Sequence, residues 1–301
     1  MTAGPALGVD IGGTKIRVTL QDEPGCVTRS VQVPTPGEGG DAIVDAIVRG
    51  AALVDAREVS VCGVGTAGDI DAATGRIVWA TTTIRNWSGF PLGERLSTRL
   101  GVPVVVDNDG NAATYAEATL GAARGAASVI GVFVGTGIGG GVVLDGRVLH
   151  GAHHRAGKVG HTEAAGAAGF VCLCGIPGHI EAVSSATAVE IAYAARAGGR
   201  RVPYREISRR ADAGDEIAID VLRTAGRRLA DWLPSATAIV DPEVVVIGGG
   251  AVNAAAYWEA FTERRAEWAG GPTAIDVRLG LLREDAVAIG AAALARWRDR
   301  D

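Results

Sequence analysis

Cysteine and long apolar runs are both scarce in this sequence. Four cysteines are spread over 301 residues, too few for a disulfide framework in a chain of this size. No segment reaches the roughly 18 consecutive apolar residues that a membrane helix needs. The N-terminus, Met1 to Pro5, leads directly into a strand-like run and lacks the pattern of a signal peptide. We therefore expect a cytoplasmic protein with no membrane partner.

An excess of positive charge is also absent. The formal net charge is -5, and only Lys15 and Lys158 are lysines, against 27 arginines. No Lys/Arg cluster falls on one predicted helix face, as a nucleic-acid-binding surface would require, so we expect no nucleic-acid partner. Apolar residues make up 48% of the chain, which is typical of a globular protein, and 301 residues suffice for two hydrophobic cores. Two lobes with a cleft are expected.

Alternating strand and helix patterns predict an α/β layer structure. Leu7–Leu20 and Val129–Leu144 each read as two strands around a glycine turn, which suggests that each lobe opens with a glycine hairpin. The other predicted elements are strands at 59–65, 103–106, 244–247 and 275–279 and helices at 41–56, 112–120, 185–197, 215–233, 254–268 and from 285 onwards. The stretch 150–181 is irregular.

The two glycine turns have the composition of phosphate-binding loops, because glycine lets backbone N–H groups approach an anion without a Cβ in the way. The loops are 10–15 and 135–141. The second contains G-x-G-x-x-G, but a strand follows it instead of the helix that a dinucleotide-binding fold requires. Neither loop matches G-x-x-x-x-G-K-[ST]. Two ordinary glycine hairpins are the alternative, which Asp10, Thr14, Lys15 and Thr136 in the loops make less attractive.

Four nitrogen and sulfur donors fall within nineteen residues of the irregular stretch. Such a set suits tetrahedral zinc in a closed structural site. Alternatively, the thiols are free and the histidines lie on the surface. The four donors are His161, Cys172, Cys174 and His179. Three further histidines are interpreted as parts of an exposed loop: His150, His153 and His154.

Five motifs together resemble the ROK family (repressors, open reading frames and kinases), specifically its glucokinase-like members, over essentially the full length. The motifs are VDIGGTK (9–15), VVVDNDGNAA (104–113), GTGIGGG (135–141), GH with CLCG and GHIE (160–181), and DPEVVVIGGG (241–250). The resemblance implies an α/β, two-domain, actin-like (RNase H-like) fold, with ATP and Mg²⁺ in the cleft between the lobes and Zn²⁺ in the His/Cys segment. It also suggests a homodimer.

The resemblance implies lobe boundaries and nucleotide-binding residues as well. The small lobe would span 1–113, with a terminal helix of about 285–301 packed back on it. The large lobe would span 114–284 and include the zinc-binding segment 161–181. The residues implied in ATP and Mg²⁺ binding are Asp10, Gly12, Gly13, Thr14, Lys15, Gly135, Thr136, Gly137, Gly248 and Gly249.

A sugar would bind against the Asp107–Asn108–Asp109 segment. The resemblance implies that Asn108 hydrogen-bonds a sugar hydroxyl and that Asp109 is the general base for the hydroxyl that attacks the γ-phosphate. Phosphoryl transfer independently calls for one carboxylate near the nucleophile. A helix N-cap is the alternative role for Asp109. The other implied sugar-binding residues are Gly68, Asp69, Lys158, His161 and Glu181.

Some positions depart from the family pattern. Lys158 stands where family kinases generally have a Glu that contacts sugar hydroxyls, and Thr83 stands where relatives often have Asn. Asp69 adds a carboxylate beside the expected pocket, where it could pair with a substrate ammonium, face solvent or pair with Lys158. His179 replaces the family's third cysteine, and we expect zinc binding to survive because imidazole is also a good zinc ligand.

We predict from these observations an ATP-dependent sugar kinase that phosphorylates the 6-hydroxyl of glucose or a close glucose analogue. The first alternative is a kinase for an amino sugar such as kanosamine, the 3-amino analogue of glucose. The second is a sugar-sensing protein that has lost catalysis, which the retention of Asp109 and both phosphate loops disfavours.

Overall fold

A computed structural model describes residues 4–81, 83–268, 270 and 274–298. The strands are β1 Ala6–Ile11, β2 Lys15–Glu23, β3 Cys26–Pro34, β4 Val61–Thr66, β5 Asp69–Asp71, β6 Arg76–Trp79, β7 Val104–Asn108, β8 Ser128–Val134, β9 Ile138–Leu144, β10 Arg147–Val148, β11 Val244–Gly248 and β12 Asp276–Leu279. The α-helices are α1 Asp41–Leu53, α2 Leu92–Leu100, α3 Asp109–Thr119, α4 Glu181–Ser184, α5 Ala186–Arg196, α6 Tyr204–Asp212, α7 Glu216–Thr237, α8 Ala255–Ala266 and α9 Ala286–Arg298.

The first sheet has five strands in the order β3-β2-β1-β4-β7. The glycine turn after β1 makes β2 antiparallel to it, whereas β1, β4 and β7 run parallel. Asp10 in β1 lies opposite Gly65 in β4, which in turn lies opposite Asp107 in β7. The three parallel strands therefore end at one edge, where α/β folds commonly place their functional residues.

Helix α9 approaches this sheet closely because three glycines leave room for its backbone. A Cβ added at Gly63 would lie 1.9 Å from the Ala291 carbonyl oxygen, and one at Gly8 would lie 2.1 Å from that of Ala288. On the same helix, a Cβ at Gly290 would lie 1.8 Å from the carbonyl oxygen of Ala112 in α3. The terminal helix is thus seated on β1, β4 and α3 by backbone contacts that a side chain would prevent.

The second five-stranded sheet has the order β10-β9-β8-β11-β12, and β11 and β12 are parallel. The chain divides into two compact units. One comprises residues 1–131, 141–157 and 284–301, and the other comprises 132–140 and 158–283. Residues 114–131 and 141–157 thus belong to the unit that contains the N-terminus, whereas we expected the large lobe to begin at 114. The packing of α3 against α9 accounts for part of this difference.

Both predicted glycine hairpins are present, as β1–β2 and β8–β9, and each predicted helix has a counterpart within a few residues of its expected position. Residues 299–301 of the predicted terminal helix lie outside the described residues. The elements β3, β5, β6, β10, α2, α4 and α6 have no counterpart among the predictions. In the described part of the chain, no helix combines the length and apolarity that crossing a membrane demands.

Candidate active site

The edge where β1, β4 and β7 end brings together acidic and polar residues of the first unit. Asp10 lies one residue before the end of β1, and Asn108 ends β7. Asp109 follows directly, and its Cα lies 3.6 Å from the place where a Cβ at Gly65 of β4 would stand. The side-chain amide of Asn108 donates to the carbonyl oxygen of Gly68 at 3.1 Å. Residues predicted from three separate motifs thus converge within this unit.

Asn108 is the N-cap of α3, and Asp109 is its first helical residue. The Oδ1 atom of Asn108 accepts from the backbone N–H groups of Gly110 at 3.0 Å and Asn111 at 3.3 Å. The capping role that we considered for Asp109 therefore belongs to its neighbour. An amide carries two N–H bonds, so Asn108 keeps one donor for a ligand after contacting Gly68. The side chain of Asp109 is held by a separate hydrogen bond, in which the Gly110 N–H donates to Asp109 Oδ1 at 2.9 Å.

The negative charge of Asp109 affects the ionisation of the Asp10 carboxyl group. The pKa of Asp10 is raised from 3.8 to about 6, first by burial and next by the negative charge of Asp109, while Arg17 and Lys15 act in the opposite direction. A buried carboxylate with a second one nearby is destabilised in its ionised form unless a cation joins them. The pair therefore has the electrostatics of a site that would hold Mg²⁺.

The first phosphate loop is fixed by backbone hydrogen bonds on both sides. The Gly12 N–H donates to the Lys15 carbonyl oxygen at 3.0 Å, and the Thr35 hydroxyl donates to the Gly12 carbonyl oxygen at 2.7 Å. The Thr35 N–H donates to the Thr14 carbonyl oxygen at 3.1 Å. A Cβ at Gly13 would lie 2.8 Å from the Thr83 methyl group, so this glycine is needed for close approach. Lys15 is exposed at the loop's end.

A cavity of about 480 Å³ opens beside this loop within the first unit. Its lining combines backbone of the phosphate loop with charged and hydroxyl side chains. The lining residues are Gly13, Thr35, Pro36, Gly37, Glu38, Thr83, Ile84 and Arg85. Thr83, which departs from the family pattern, therefore does face open space next to the phosphate loop.

Asp69 is buried, with 6% of its surface exposed, and it lies at the start of β5 just after Gly68. Its carboxylate forms an ion pair with Arg155, whose Nε lies 3.3 Å from Oδ2. The side chain of Arg155 is 68% exposed, so this partner reaches the acid from the surface. The prediction that Asp69 contributes a carboxylate to the pocket remains open, but any ligand cation there would compete with Arg155.

Residues 135–140 of the second predicted phosphate loop belong to the second unit, where they meet Glu181. The Ile138 N–H donates to Glu181 Oε2 at 2.8 Å, and a Cβ at Gly137 would lie 2.4 Å from that oxygen. The carbonyl oxygen of Gly135 accepts from the Ala186 N–H at 2.9 Å, and that of Thr136 accepts from the Thr187 N–H at 3.4 Å. The loop therefore rests on the start of α5.

Gly248 ends β11 and Gly249 follows it, and both lie against the end of β8, directly before the second loop. A Cβ at Gly248 would lie 2.8 Å from the Phe133 ring, and one at Gly249 would lie 2.3 Å from the Val134 carbonyl oxygen. Gly249 also has a φ of 93°, which disfavours any other residue. Two predicted nucleotide-binding segments thus meet in the second unit.

The four predicted zinc donors come together in the second unit. One donor atom from each lies within 4.8 Å of all the others. Cys172 Sγ is 3.5 Å from His161 Nδ1, and Cys174 Sγ is 3.3 Å from His179 Nδ1. Four donors about 2.0 to 2.3 Å from one tetrahedral zinc ion stand roughly 3.5 Å apart, which the two measured Cys–His pairs match.

Glu181 links this cluster to the second phosphate loop. The Cys172 thiol donates to Glu181 Oε1 at 3.1 Å, while Oε2 of the same residue accepts from Ile138. Without a metal, burial and then the hydrogen bond to Glu181 raise the pKa of Cys172 to about 12. Lys158 precedes the short helix Val159–His161, and its carbonyl oxygen accepts from the His161 N–H at 3.0 Å.

In the first unit, β7 carries a further polar residue, Asp107, to which the sequence interpretation gave no role. Its carboxylate is 2% exposed and accepts from His150 Nε2 at 2.7 Å. His150 was expected in an exposed loop, and instead its side chain is 23% exposed and bonded to this acid, whereas His153 is exposed. Nothing local in the sequence connects two residues 43 positions apart.

Comparisons with known proteins identify the family of this chain. The model of the ROK family matches residues 6–298. The glucokinase of Streptomyces coelicolor is 33% identical over 267 residues, which cover 82% of each chain. The structure of a ROK hexokinase from Thermus thermophilus superposes with a TM-score of 0.85 at 37% identity and covers 99% of both chains. A ROK family glucokinase from Streptomyces griseus, in complex with glucose and AMPPNP, has a TM-score of 0.86 at 31% identity, covering 98% of this chain and 100% of that one.

The chain therefore belongs to the ROK family. Its α/β fold is the two-domain, actin-like ATPase fold of ROK sugar kinases, and both predictions, the family and the fold class, are confirmed.

Proposed function

We propose that the protein is an ATP-dependent sugar kinase that transfers the γ-phosphoryl group of ATP to the 6-hydroxyl of glucose or a close glucose analogue. The observation that carries this proposal is the position of Asp109 at the carboxyl end of β7, within the same unit as the phosphate loop and Asp10. The relatives named glucokinase and hexokinase support the same activity.

In this reaction Asp109 is the general base. Its Oδ1 is held by the Gly110 N–H, and Oδ2 is the oxygen to which we assign the proton of the attacking hydroxyl. The remaining amide N–H of Asn108 would orient that sugar by donating to a hydroxyl oxygen. Mg²⁺, when bound near Asp10, would neutralise the charge of the transferring phosphoryl group. Glu181 would accept from a second sugar hydroxyl, as the family resemblance implies.

Zn²⁺ fits the cluster of two histidines and two cysteines, and we propose a structural role for it. Ligation would deprotonate Cys172, so its hydrogen bond to Glu181 Oε1 would be lost in the zinc-bound protein, and Glu181 would keep the contact of its Oε2 with the Ile138 N–H. His161, which is both a predicted ligand and a predicted sugar contact, would have its ring orientation set by the metal. The homodimer and the cytoplasmic location remain predictions.

The test is a spectrophotometric assay in which glucose 6-phosphate formed with Mg-ATP is oxidised by a coupling dehydrogenase. We expect turnover by the wild type and a fall in kcat of about 10² to 10⁴-fold for Asp109→Asn, since that is the usual contribution of a positioned general base. The matched control is Asp212→Asn, an exposed acid in α6 that should leave kcat unchanged. No glucose 6-phosphate from glucose, together with no ADP release with any other sugar tried, would favour the sugar-sensing alternative.

An amino sugar is the second candidate substrate, and Asp69 is the observation that favours it. The buried carboxylate of Asp69, next to the Gly68 carbonyl that Asn108 contacts, could exchange its exposed partner Arg155 for a substrate ammonium. The discriminating quantity is the ratio of kcat/KM for kanosamine to that for glucose, measured in the wild type and in Asp69→Asn. A ratio above one that collapses in the variant would support an amino-sugar kinase. A ratio below one in the wild type would leave glucose as the substrate.

A further inference from the structure

The buried carboxylate of Asp107 makes hydrogen bonds on both of its oxygens, next to the segment that carries Asp109. Its Oδ1 atom accepts from the Asn108 N–H at 2.8 Å and from Asn111 Nδ2 at 2.9 Å. Asn108 and Asn111 flank Asp109 and Gly110, so one oxygen of Asp107 holds both ends of the first turn of α3. The placement of Asp109 therefore depends on how the Asp107 carboxylate is oriented.

The other oxygen of Asp107 is held from a different part of the chain. His150 Nε2 lies 2.7 Å from Oδ2, and Arg298 Nη2 lies 3.7 Å from the same oxygen. Because an ionised carboxylate only accepts, Nε2 of His150 carries the proton and donates it. Of the two partners, His150 alone is within hydrogen-bond distance, since 3.7 Å is too long for such a bond.

His150 can fix this carboxylate because its own backbone is fixed. The preceding residue, Leu149, donates its N–H to the Val142 carbonyl oxygen of β9 at 2.8 Å. The carbonyl oxygen of His150 accepts from the Ala156 N–H at 3.1 Å, which closes the loop 151–155. The imidazole therefore extends from an anchored point of the first unit and is only partly exposed.

Loss of this donor would leave Oδ2 buried without a hydrogen bond of normal length. A buried carboxylate in that state is costly, so it would rotate or shift toward Arg298 to recover a partner. Any such rotation moves Oδ1 as well, and with it the two contacts that hold the turn at 108–111. A displacement of about 1 Å at a catalytic group can reduce the rate about 10²-fold.

We propose that His150 is a positioning residue for catalysis, which acts through Asp107 to hold Asp109 and Asn108 in place. The inference rests on the proposed kinase activity, because Asp109 is the general base only in that reaction. His150 itself touches neither sugar nor nucleotide in this assignment. Its side chain lines a separate cavity of about 640 Å³, whose other walls include Asp71, His154, Trp297 and Arg298.

The test compares four variants in steady-state kinetics with glucose and Mg-ATP. His150→Ala and His150→Phe remove the donor, and the phenylalanine retains a ring of similar size. His150→Gln places an amide N–H donor the same number of bonds from Cα as Nε2 of histidine, so it should rescue the contact. His153→Ala is the matched control, because His153 is an exposed histidine of the same loop.

We expect kcat to fall about 10- to 100-fold in the alanine and phenylalanine variants, with the KM for ATP nearly unchanged. The glutamine variant should stay within about threefold of the wild type, and the His153 control should match it. Imidazole added at pH 8 should enter the cavity next to the deleted side chain and restore kcat of His150→Ala but not that of His150→Phe. A merely structural role would not produce this rescue.

Equal kcat in wild type and His150→Phe would overturn the inference. So would a glutamine variant as slow as the alanine variant together with no effect of imidazole. If His150→Ala does not fold, the phenylalanine and glutamine variants decide the question. If the wild type turns over no sugar, the proposed function fails, and the inference is then judged by hydrogen exchange at amides 108–111. Faster exchange in His150→Phe would support it, and unchanged exchange would refute it.

Discussion

Asp10→Asn is expected to stabilise the protein while it abolishes activity. The pKa of Asp10 is raised from 3.8 to about 6 by burial and by Asp109. At about 1.36 kcal/mol per pKa unit, the ionised form costs the folded state about 3 kcal/mol at neutral pH. Asparagine has similar size and no charge, so it removes this cost. The pKa of about 6 already includes the attraction of Arg17 and Lys15, and the amide keeps a desolvation cost of its own, so we expect a net gain of about 1 to 3 kcal/mol.

The stability gain of Asp10→Asn over the wild type should increase as pH rises. A raised folded-state pKa means that between about pH 4 and pH 6 the folded protein binds more protons at Asp10 than the unfolded chain does. Stability of the wild type therefore falls as pH rises through this window, and the variant lacks that contribution. The two proteins should be equally stable near pH 4, and the variant should be more stable from about pH 6.5 upward.

The assay is thermal unfolding of both proteins between pH 4 and pH 8 in buffer without added divalent cations. For a unit of this size, a gain of 1 to 3 kcal/mol corresponds to a rise in Tm of roughly 3 to 8 °C at pH 7.5. Asp212→Asn, at an exposed site in α6, is the matched control and should show no such pH-dependent difference. A variant that is less stable than the wild type at pH 7.5, or a difference that does not vary with pH, would refute the reasoning.

Three further predictions follow from the packing and from the metal cluster. Gly290→Ala should lower the free energy of unfolding, measured in urea, by about 1 to 3 kcal/mol, because the added methyl group would meet the Ala112 carbonyl oxygen. This loss should outweigh the helix propensity of alanine. Metal analysis should find one zinc ion per chain, lost in Cys174→Ala and retained in Cys26→Ala, since Cys26 is exposed outside the cluster. Removal of that zinc should lower the Tm, because metal-binding free energy contributes to folding. Retention of zinc and Tm in Cys174→Ala would contradict the ligand assignment.

The sequence predicted those strands and helices whose pattern lies within a few neighbouring residues. The glycine hairpins β1–β2 and β8–β9 were predictable because apolar, β-branched runs flank the glycines on both sides. The position of β7 was predictable to within two residues, because a short apolar run leads there into the polar segment 107–111. Helix α6 was not, because Tyr204–Asp212 is short and highly charged, with only Ile207 and Ala211 buried. Its stability comes from packing, which a short window does not reveal.

The site residues within compact motifs were predictable from the sequence, and the contacts between distant residues were not. Asp109 and the zinc donors lie within compact motifs, so the family resemblance identified them by position. The sequence could not decide which residue of the Asp107–Asn108–Asp109 segment caps α3, because aspartate and asparagine are both good N-caps. The contact of Asp107 with His150 was not predictable either, since it depends on the path of the chain after β10.

The central claim is that this chain phosphorylates a hexose at its 6-hydroxyl with Asp109 as the base. The most direct measurement is ³¹P and ¹³C NMR of the product formed from Mg-ATP and glucose by the wild type and by Asp109→Asn. The account predicts a 6-phosphate with the wild type, formed at least about 10²-fold more slowly by the variant. Phosphate at another carbon, or equal rates for the two proteins, would contradict it.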